Sequence, residues 1–262
     1  MNLLQSLLFF VVSLAASVVG AICGIGGGVI IKPTLDIFGW ASTSTISFLS
    51  GCTVLSMSCY SVVKSMRAGE RRVNLRTGTP LAIGSVIGGV AGKQLFTYLQ
   101  TLFPNPERVG TVQALCLGVI TLGTLLYTLR KNAIRTHHIL HPLACILIGL
   151  IVGICSSFLG IGGGPINLVV LYYFFSMDTK TAAANSLYII LFSQIASLVT
   201  TILTGTIPVF TSITLILMIC GGILGGILGR IINRKLSNLA VEKLFIGLMV
   251  LIIVICIYNT AW

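Results

Sequence analysis

Acidic residues are almost missing from this chain: five Asp and Glu stand among 262 residues, against sixteen Lys and Arg. Asp36, Glu70, Glu107, Asp178 and Glu242 all avoid the middles of the long apolar runs. The sequence therefore offers no paired carboxylates for general acid–base work and no evident midplane carboxylate for a proton relay. The histidines are as restricted, since His137, His138 and His141 share one short segment and form no metal triad. No glycine cluster is followed by Gly-Lys-Ser/Thr, and no βαβ pattern surrounds one, which removes phosphate-loop and dinucleotide chemistry. Cys23, Cys52, Cys59, Cys116, Cys145, Cys155, Cys220 and Cys256 show no CxxC spacing and lie almost entirely in apolar runs. They read as small packing residues rather than as metal ligands or disulfides. An enzyme would have to be built from Ser, Thr, Asn and Cys alone, so the expectation is a protein that is not an enzyme and carries no cofactor and no metal.

What remains is apolar. Hydrophobic residues make up 56% of the chain and charged ones 8%, with a mean hydropathy of +1.06. A soluble domain carries roughly 25% charged residues, so this chain cannot cover a water-facing surface. The fold class is an all-α integral membrane protein with the lipid bilayer as its first partner. The net charge of +11 does not point to nucleic acid, because the basic residues cluster in connecting segments: Lys64, Arg67, Arg71, Arg72 and Arg76; Arg130, Lys131 and Arg135; Arg230, Arg234, Lys235 and Lys243. Basic loops between apolar runs are the mark of cytoplasmic loops. "MNLLQSLLFFVVSLAASVVG" has no positively charged leader and reads as a first membrane helix, not a cleaved signal.

Apolar runs fall at about 3–23, 29–38, 44–63, 79–99, 110–129, 139–157, 165–177, 181–204, 208–229 and 239–258. A full span needs roughly 20 residues, so the second and seventh are short. The chain then repeats itself. Gly24-Ile25-Gly26-Gly27-Gly28 stands 136 positions before Gly160-Ile161-Gly162-Gly163-Gly164, and Ser50 precedes Ser186 by the same interval. One insertion later, "IGSVIGGVAGKQL" (83–95) matches "CGGILGGILGRII" (220–232) glycine for glycine, with Lys93 opposite Arg230. The expected organisation is a first transmembrane repeat over 1–129, a basic cytoplasmic linker over 130–141 and a second repeat over 142–262. The loop at 64–76 is strongly basic and its counterpart at 200–212 is uncharged, so equivalent loops prefer opposite faces. This predicts two inverted repeats of about five hydrophobic segments each, with short broken helices at the glycine-rich turns. Loops 64–76, 129–141 and 230–243 then fall in the cytoplasm and both termini outside. Either two crossings or a hairpin that enters and returns satisfies this for segments 1–2 and 6–7.

The repeated GIGGG is poor material for a helix, and broken backbone at membrane depth is tolerated only where protein buries it or water reaches it. Pro165 follows the second copy, in the place favoured at a helix start. Each turn is therefore read as opening a helix whose free N–H groups carry positive partial charge and suit an anion. The backbone candidates are Gly26, Gly27 and Gly28 with Gly162, Gly163 and Gly164. Nearby polar side chains complete the candidate site: Asn167, Asn185 and Ser186, Ser47 and Ser50 in the first half, and Gln194 within "IILFSQIASLV". Gln194 and Ser58 fit helix-to-helix hydrogen bonding equally well. Lys32, one helical turn past Gly28, can neutralise an anion, snorkel to the interface or pair with Asp36. The glycine stripes "GSVIGGVAG" and "GGILGGILG" suit close helix packing, within the chain or in a homodimer.

Together the paired GIGGG turns, "VIIKPTL", "PINLVV", the Ala-rich "TKTAAANSLYIIL" (179–191), "LTGTIP" (203–208) and "RAGERRVNLRTGTP" (67–80) resemble the TauE/SafE family of sulfite exporters and sulfur-compound permeases, over nearly the whole chain. Two departures stand out: Lys32 where an apolar residue is expected, and "SFLSG" (47–51), which lacks the Thr/Ser-Ser-Leu form read at 185–187. The resemblance implies a multi-pass protein of the cytoplasmic membrane that transports a small anion such as sulfite, thiosulfate or a sulfonate. Alternating access would carry the anion, with a proton or sodium ion as the coupling ion still open. The alternatives are a cation-coupled transporter of a non-sulfur organic anion and an accessory membrane subunit that transports nothing itself.

Overall fold

A computed structural model describes residues 3–68, 73–102, 106–161 and 163–261. Arg71, Arg72 and Gly162 lie outside the described residues. Among those described, the chain is helical: α1 (Leu3–Cys23), α2 (Gly28–Asp36), α3 (Thr43–Arg67), α4 (Leu75–Leu102), α5 (Pro106–Arg130), α6 (Pro142–Phe158), α7 (Pro165–Phe175), α8 (Thr179–Leu203), α9 (Ser212–Lys235) and α10 (Asn238–Ala261), with one 3₁₀ turn at Lys131–Ala133. Six of these, α1, α3, α5, α8, α9 and α10, are long and apolar enough to cross a bilayer. Outer faces of the helices carry large apolar side chains at helical spacing. Leu115, Val119, Leu122 and Leu126 on α5 and Leu143, Leu147 and Ile151 on α6 are all exposed. Apolar stripes of this extent belong against lipid.

Helix α6 starts later than its apolar run. Pro142 takes its first turn, and the preceding residues are extended, with His137 N–H and Ile139 N–H donating to the Tyr173 and Phe174 carbonyls at 2.7 and 3.0 Å. That contact sets the end of α7 beside the start of α6, so α6 and α7 form a hairpin. The first half does the same. Gly27 lies against Ser17, while Leu35 at the far end of α2 shares a core with Phe9. At nine residues α2 is only about 14 Å long and cannot cross. Segments 1–2 and 6–7 therefore each fold back as a hairpin at a GIGGG turn.

The first helix of each half is held by the fourth helix of the other. The α4·α6 and α1·α9 pairs are the most extensive in the molecule. Gly84 and Gly88 face the Ile146 and Leu150 carbonyls of α6, and Gly92 faces Ile154. On α9, β-carbons at Gly221 and Gly225 would sit 3.1 and 2.8 Å from the Phe10 and Leu14 carbonyl oxygens. Bare backbone is needed for such an approach, since lipid supplies no hydrophobic drive and packing and weak Cα–H···O contacts must hold the helices. The stripes are thus consumed inside the chain. Counterpart helices also meet directly and run antiparallel. Along α3 and α8, Gly51 meets Gln194 and Val62 groups with Leu187; along α5 and α10, Gly118 meets Cys256 and Lys131 pairs with Glu242 at 2.6 Å.

Candidate functional site

The two glycine turns are brought together at the centre of the molecule. Gly28 backs onto the Ile161 carbonyl group, Gly163 lies beside the Ile25 carbonyl oxygen, and Val29 packs on Gly164. The first glycine of each turn is also pressed against the other half's long central helix: Gly24 (φ 77°) against Ala183 of α8, and Gly160 (φ 66°) against Ser47 of α3. Both conditions, a left-handed backbone and no room for a β-carbon, demand glycine at these two positions. Each turn then opens a helix, Gly27 preceding α2 and Gly164 preceding α7 with Pro165 first in the helix. Ile30 N–H and Asn167 N–H donate to the Gly27 and Gly164 carbonyls at 3.0 and 3.1 Å, and Pro165 has no N–H, so the amides without an acceptor in their own helix are those of Gly28, Val29 and Ile166.

Around the turns sits a set of buried polar atoms without hydrogen-bond partners. Ser50 and Ser186 are fully buried and their hydroxyls are unpaired; Asn167 is 1% exposed with an unpaired Oδ1. Ser50 Oγ is 3.1 Å from where a β-carbon on Gly28 would stand. A buried hydroxyl left unpaired costs about 1–3 kcal/mol; further ones occur elsewhere in the interior, at Ser13, Ser85 and Thr121 among others. Ser47, also unpaired, is half-buried beside Gly160. Gly26 (φ 74°) is buried within the first turn.

Other predicted residues are occupied elsewhere. Asn185 is buried, but its Oδ1 accepts from Asn74 N–H at 3.0 Å and its Nδ2 donates to the Thr181 carbonyl, so it anchors the entry to α4. Gln194 lies next to Gly51, in a cleft that reaches the second turn and is shared with Ser47, Lys93 and Gly160. Ser58 bonds back to the Val54 carbonyl of its own helix at 2.7 Å. Lys32 is 4% exposed and neither snorkels nor makes an ion pair with Asp36. Its ammonium donates to Gln113 Oε1 and, at 2.9 Å, to the carbonyl of Leu159, the residue that ends α6. Gln113 Nε2 in turn donates to the Phe158 carbonyl at 2.6 Å. The pair satisfies the carbonyls that the break after α6 leaves open. In the first half Asn233 does this work, donating to the Ile22 carbonyl at 2.6 Å.

Sequence reasoning missed Gln113, Asn233 and Ser17. The last is fully buried, unpaired and in contact with Gly27. The available signal was a polar residue inside a run otherwise apolar. No group of three or more His, Cys, Asp or Glu able to hold a metal occurs among the described residues.

This arrangement can hold a small anion by helix starts and neutral donors. Residues 9–255 match the family model described as sulfite exporter TauE/SafE. The "Probable membrane transporter protein YunE" of Bacillus subtilis (strain 168) is 26% identical over 219 residues, covering 74% of this chain and 77% of that protein. No solved structure matches. With a family match spanning most of its length, the chain belongs to the TauE/SafE sulfite exporter family of membrane transporters.

Proposed function

We propose that this protein is a secondary transporter of a small anion, with sulfur oxyanions such as sulfite, thiosulfate or a small sulfonate as its substrate class. The observation that carries this reading is the meeting of two helix-opening glycine turns beside the unpaired buried hydroxyl of Ser50, with the equally buried and unpaired Ser186 at the corresponding position of α8. Neutral donors and helix starts favour an anion without the cost of burying a second full charge. The backbone of Gly26, Gly27, Gly28, Gly162, Gly163 and Gly164 and the side chains of Ser47, Ser50, Asn167 and Ser186 form the proposed site. Lys32 acts there by holding the second turn in place.

The halves, 1–129 and 142–262 joined by the linker 130–141, are inferred to be inverted repeats. The antiparallel packing of α3 on α8 and of α5 on α10 supports this, as does the exchange of first helices between halves. With the basic loops in the cytoplasm, the hairpin of the first half enters from outside and that of the second from inside. In the structure described here the turns touch. Transport requires them to part alternately toward each face, by movement of one half against the other.

Uptake by purified protein in liposomes tests the reading, with radiosulfur-labelled sulfite, thiosulfate and a small sulfonate under proton, sodium and potential gradients. One anion should be taken up and competed by its relatives. Ser50→Ala and Ser186→Ala should each raise KM about tenfold, as expected for one lost hydrogen bond to a charged ligand, with unfolding unchanged because neither hydroxyl has a protein partner. Folded protein that moves none of these anions, alone or under any gradient, would leave the accessory-subunit reading.

A further inference from the structure

Two clefts flank the glycine turns, and they are the same cleft made twice. One is lined by Ser61, Ser65, Ala183 and Arg230. The other is lined by Ser197, Thr201, Ser47 and Lys93, the residues that take the corresponding places in the other half. Each reaches one glycine turn: Ala183 lies on Gly24, and Ser47 lies on Gly160. The first adjoins the basic segment 64–76, and the second lies toward the opposite ends of α3 and α8.

We propose that these clefts are a pair of anion-recruiting vestibules, one on each face of the membrane, with Lys93 and Arg230 as their cationic subsites. The proposal rests on the reading that the transported species is an anion. Basic residues line both clefts, and among the described residues no acidic one does. Arg230 is fixed at its place by donating to the Ser61 and Lys64 carbonyls, each at 3.3 Å. Lys93 is held differently, its ammonium 5.2 Å from the centre of the Phe96 ring. Phe96 also faces the ammonium of Lys32 at 6.0 Å, so positive charge collects on this side. The second cleft has a further mark of a ligand site: the hydroxyl of Ser157, 4% exposed, and that of Ser47 line it without any hydrogen-bond partner. A cleft with low-dielectric walls and one sign of charge concentrates counter-ions of the other sign. An oxyanion entering there meets a cation first, then free hydroxyls, then the turn.

Local charge selectivity can be read without any transport. Ser47→Cys and Ser65→Cys report on the two clefts. Each is labelled with 2-sulfonatoethyl methanethiosulfonate and with its trimethylammonio analogue, from either face of sealed vesicles, and the modified position is identified by mass spectrometry. Each position should label from one face only, and faster with the sulfonate reagent. Lys93→Gln should lower the anion-to-cation rate ratio at Ser47→Cys by roughly fivefold, a size expected for one nearby charge at intermediate dielectric. Lys93→Arg should restore it, and Arg230→Gln should act only at Ser65→Cys. An unchanged ratio with Lys93→Gln overturns the proposal. That arm suffices if Arg230→Gln fails to fold, since Arg230 also holds the end of α3. Absence of anion uptake by the wild-type protein would instead defeat the transport reading, an outcome the labelling ratio does not depend on.

Discussion

Replacing Gly28 by Ala tests whether the contact between the two glycine turns is what the fold is built around. A β-carbon at position 28 would stand 2.8 Å from the carbonyl carbon of Ile161, closer still to its oxygen, and 3.1 Å from Ser50 Oγ. Non-bonded heavy atoms prefer roughly 3.5–4.0 Å, so the second turn must retreat by on the order of 1 Å. The obstacle is backbone, and no rotamer change relieves it. Overpacking of this kind costs about 1–3 kcal/mol. Alanine recovers up to about 1 kcal/mol over glycine in a helix, leaving a net loss of up to about 2 kcal/mol. Gly247→Ala is the control, because nothing lies within 4 Å of a β-carbon there. Thermal unfolding in detergent and uptake in liposomes read the two consequences. Gly28→Ala should unfold at lower temperature and lose about tenfold or more in uptake, the factor that corresponds to 1.4 kcal/mol; Gly247→Ala should match the wild type in both. If Gly28→Ala is as stable and as active as the wild type, the turns do not meet as described.

The antiparallel contact of α5 with α10 predicts a spontaneous disulfide. A β-carbon at Gly118 falls 3.4 Å from Cys256 Cβ, close to the separation of bridged cysteines, so Gly118→Cys should crosslink to Cys256 under mild oxidation, and mass spectrometry should find the linked peptides. No crosslink would mean that the register is wrong. Lys32→Met removes the donor to Leu159 and Gln113; two buried acceptors left unpaired cost about 1–3 kcal/mol each, offset in part by no longer burying an ammonium. Chemical unfolding should register a loss of about 2 kcal/mol. Unchanged stability with abolished uptake would return Lys32 to the substrate.

Much of the architecture was written in local sequence. Ten apolar runs gave ten helices, because run length and the demand that lipid places on backbone hydrogen bonds leave no other structure. Pro165 and the two GIGGG words announced where helices break and restart, since chain geometry at those points depends on neighbouring residues alone.

Tertiary structure decided the rest. That α1 lies on α9 rather than on its own half cannot be read from either stripe, because any glycine face accepts any close backbone. Lys32 shows the same limit. Its position one turn past Gly28 suggested a ligand, but its partners come from α5 and from the end of α6, 81 and 127 residues away. Ser50 and Ser186, equivalent in sequence, remain unpaired hydroxyls, whereas their neighbour Asn185 is used to hold α4. A buried polar side chain is assigned to structure or left free for a ligand by what the fold places opposite it, and that is a property of distant segments brought together, not of spacing along the chain.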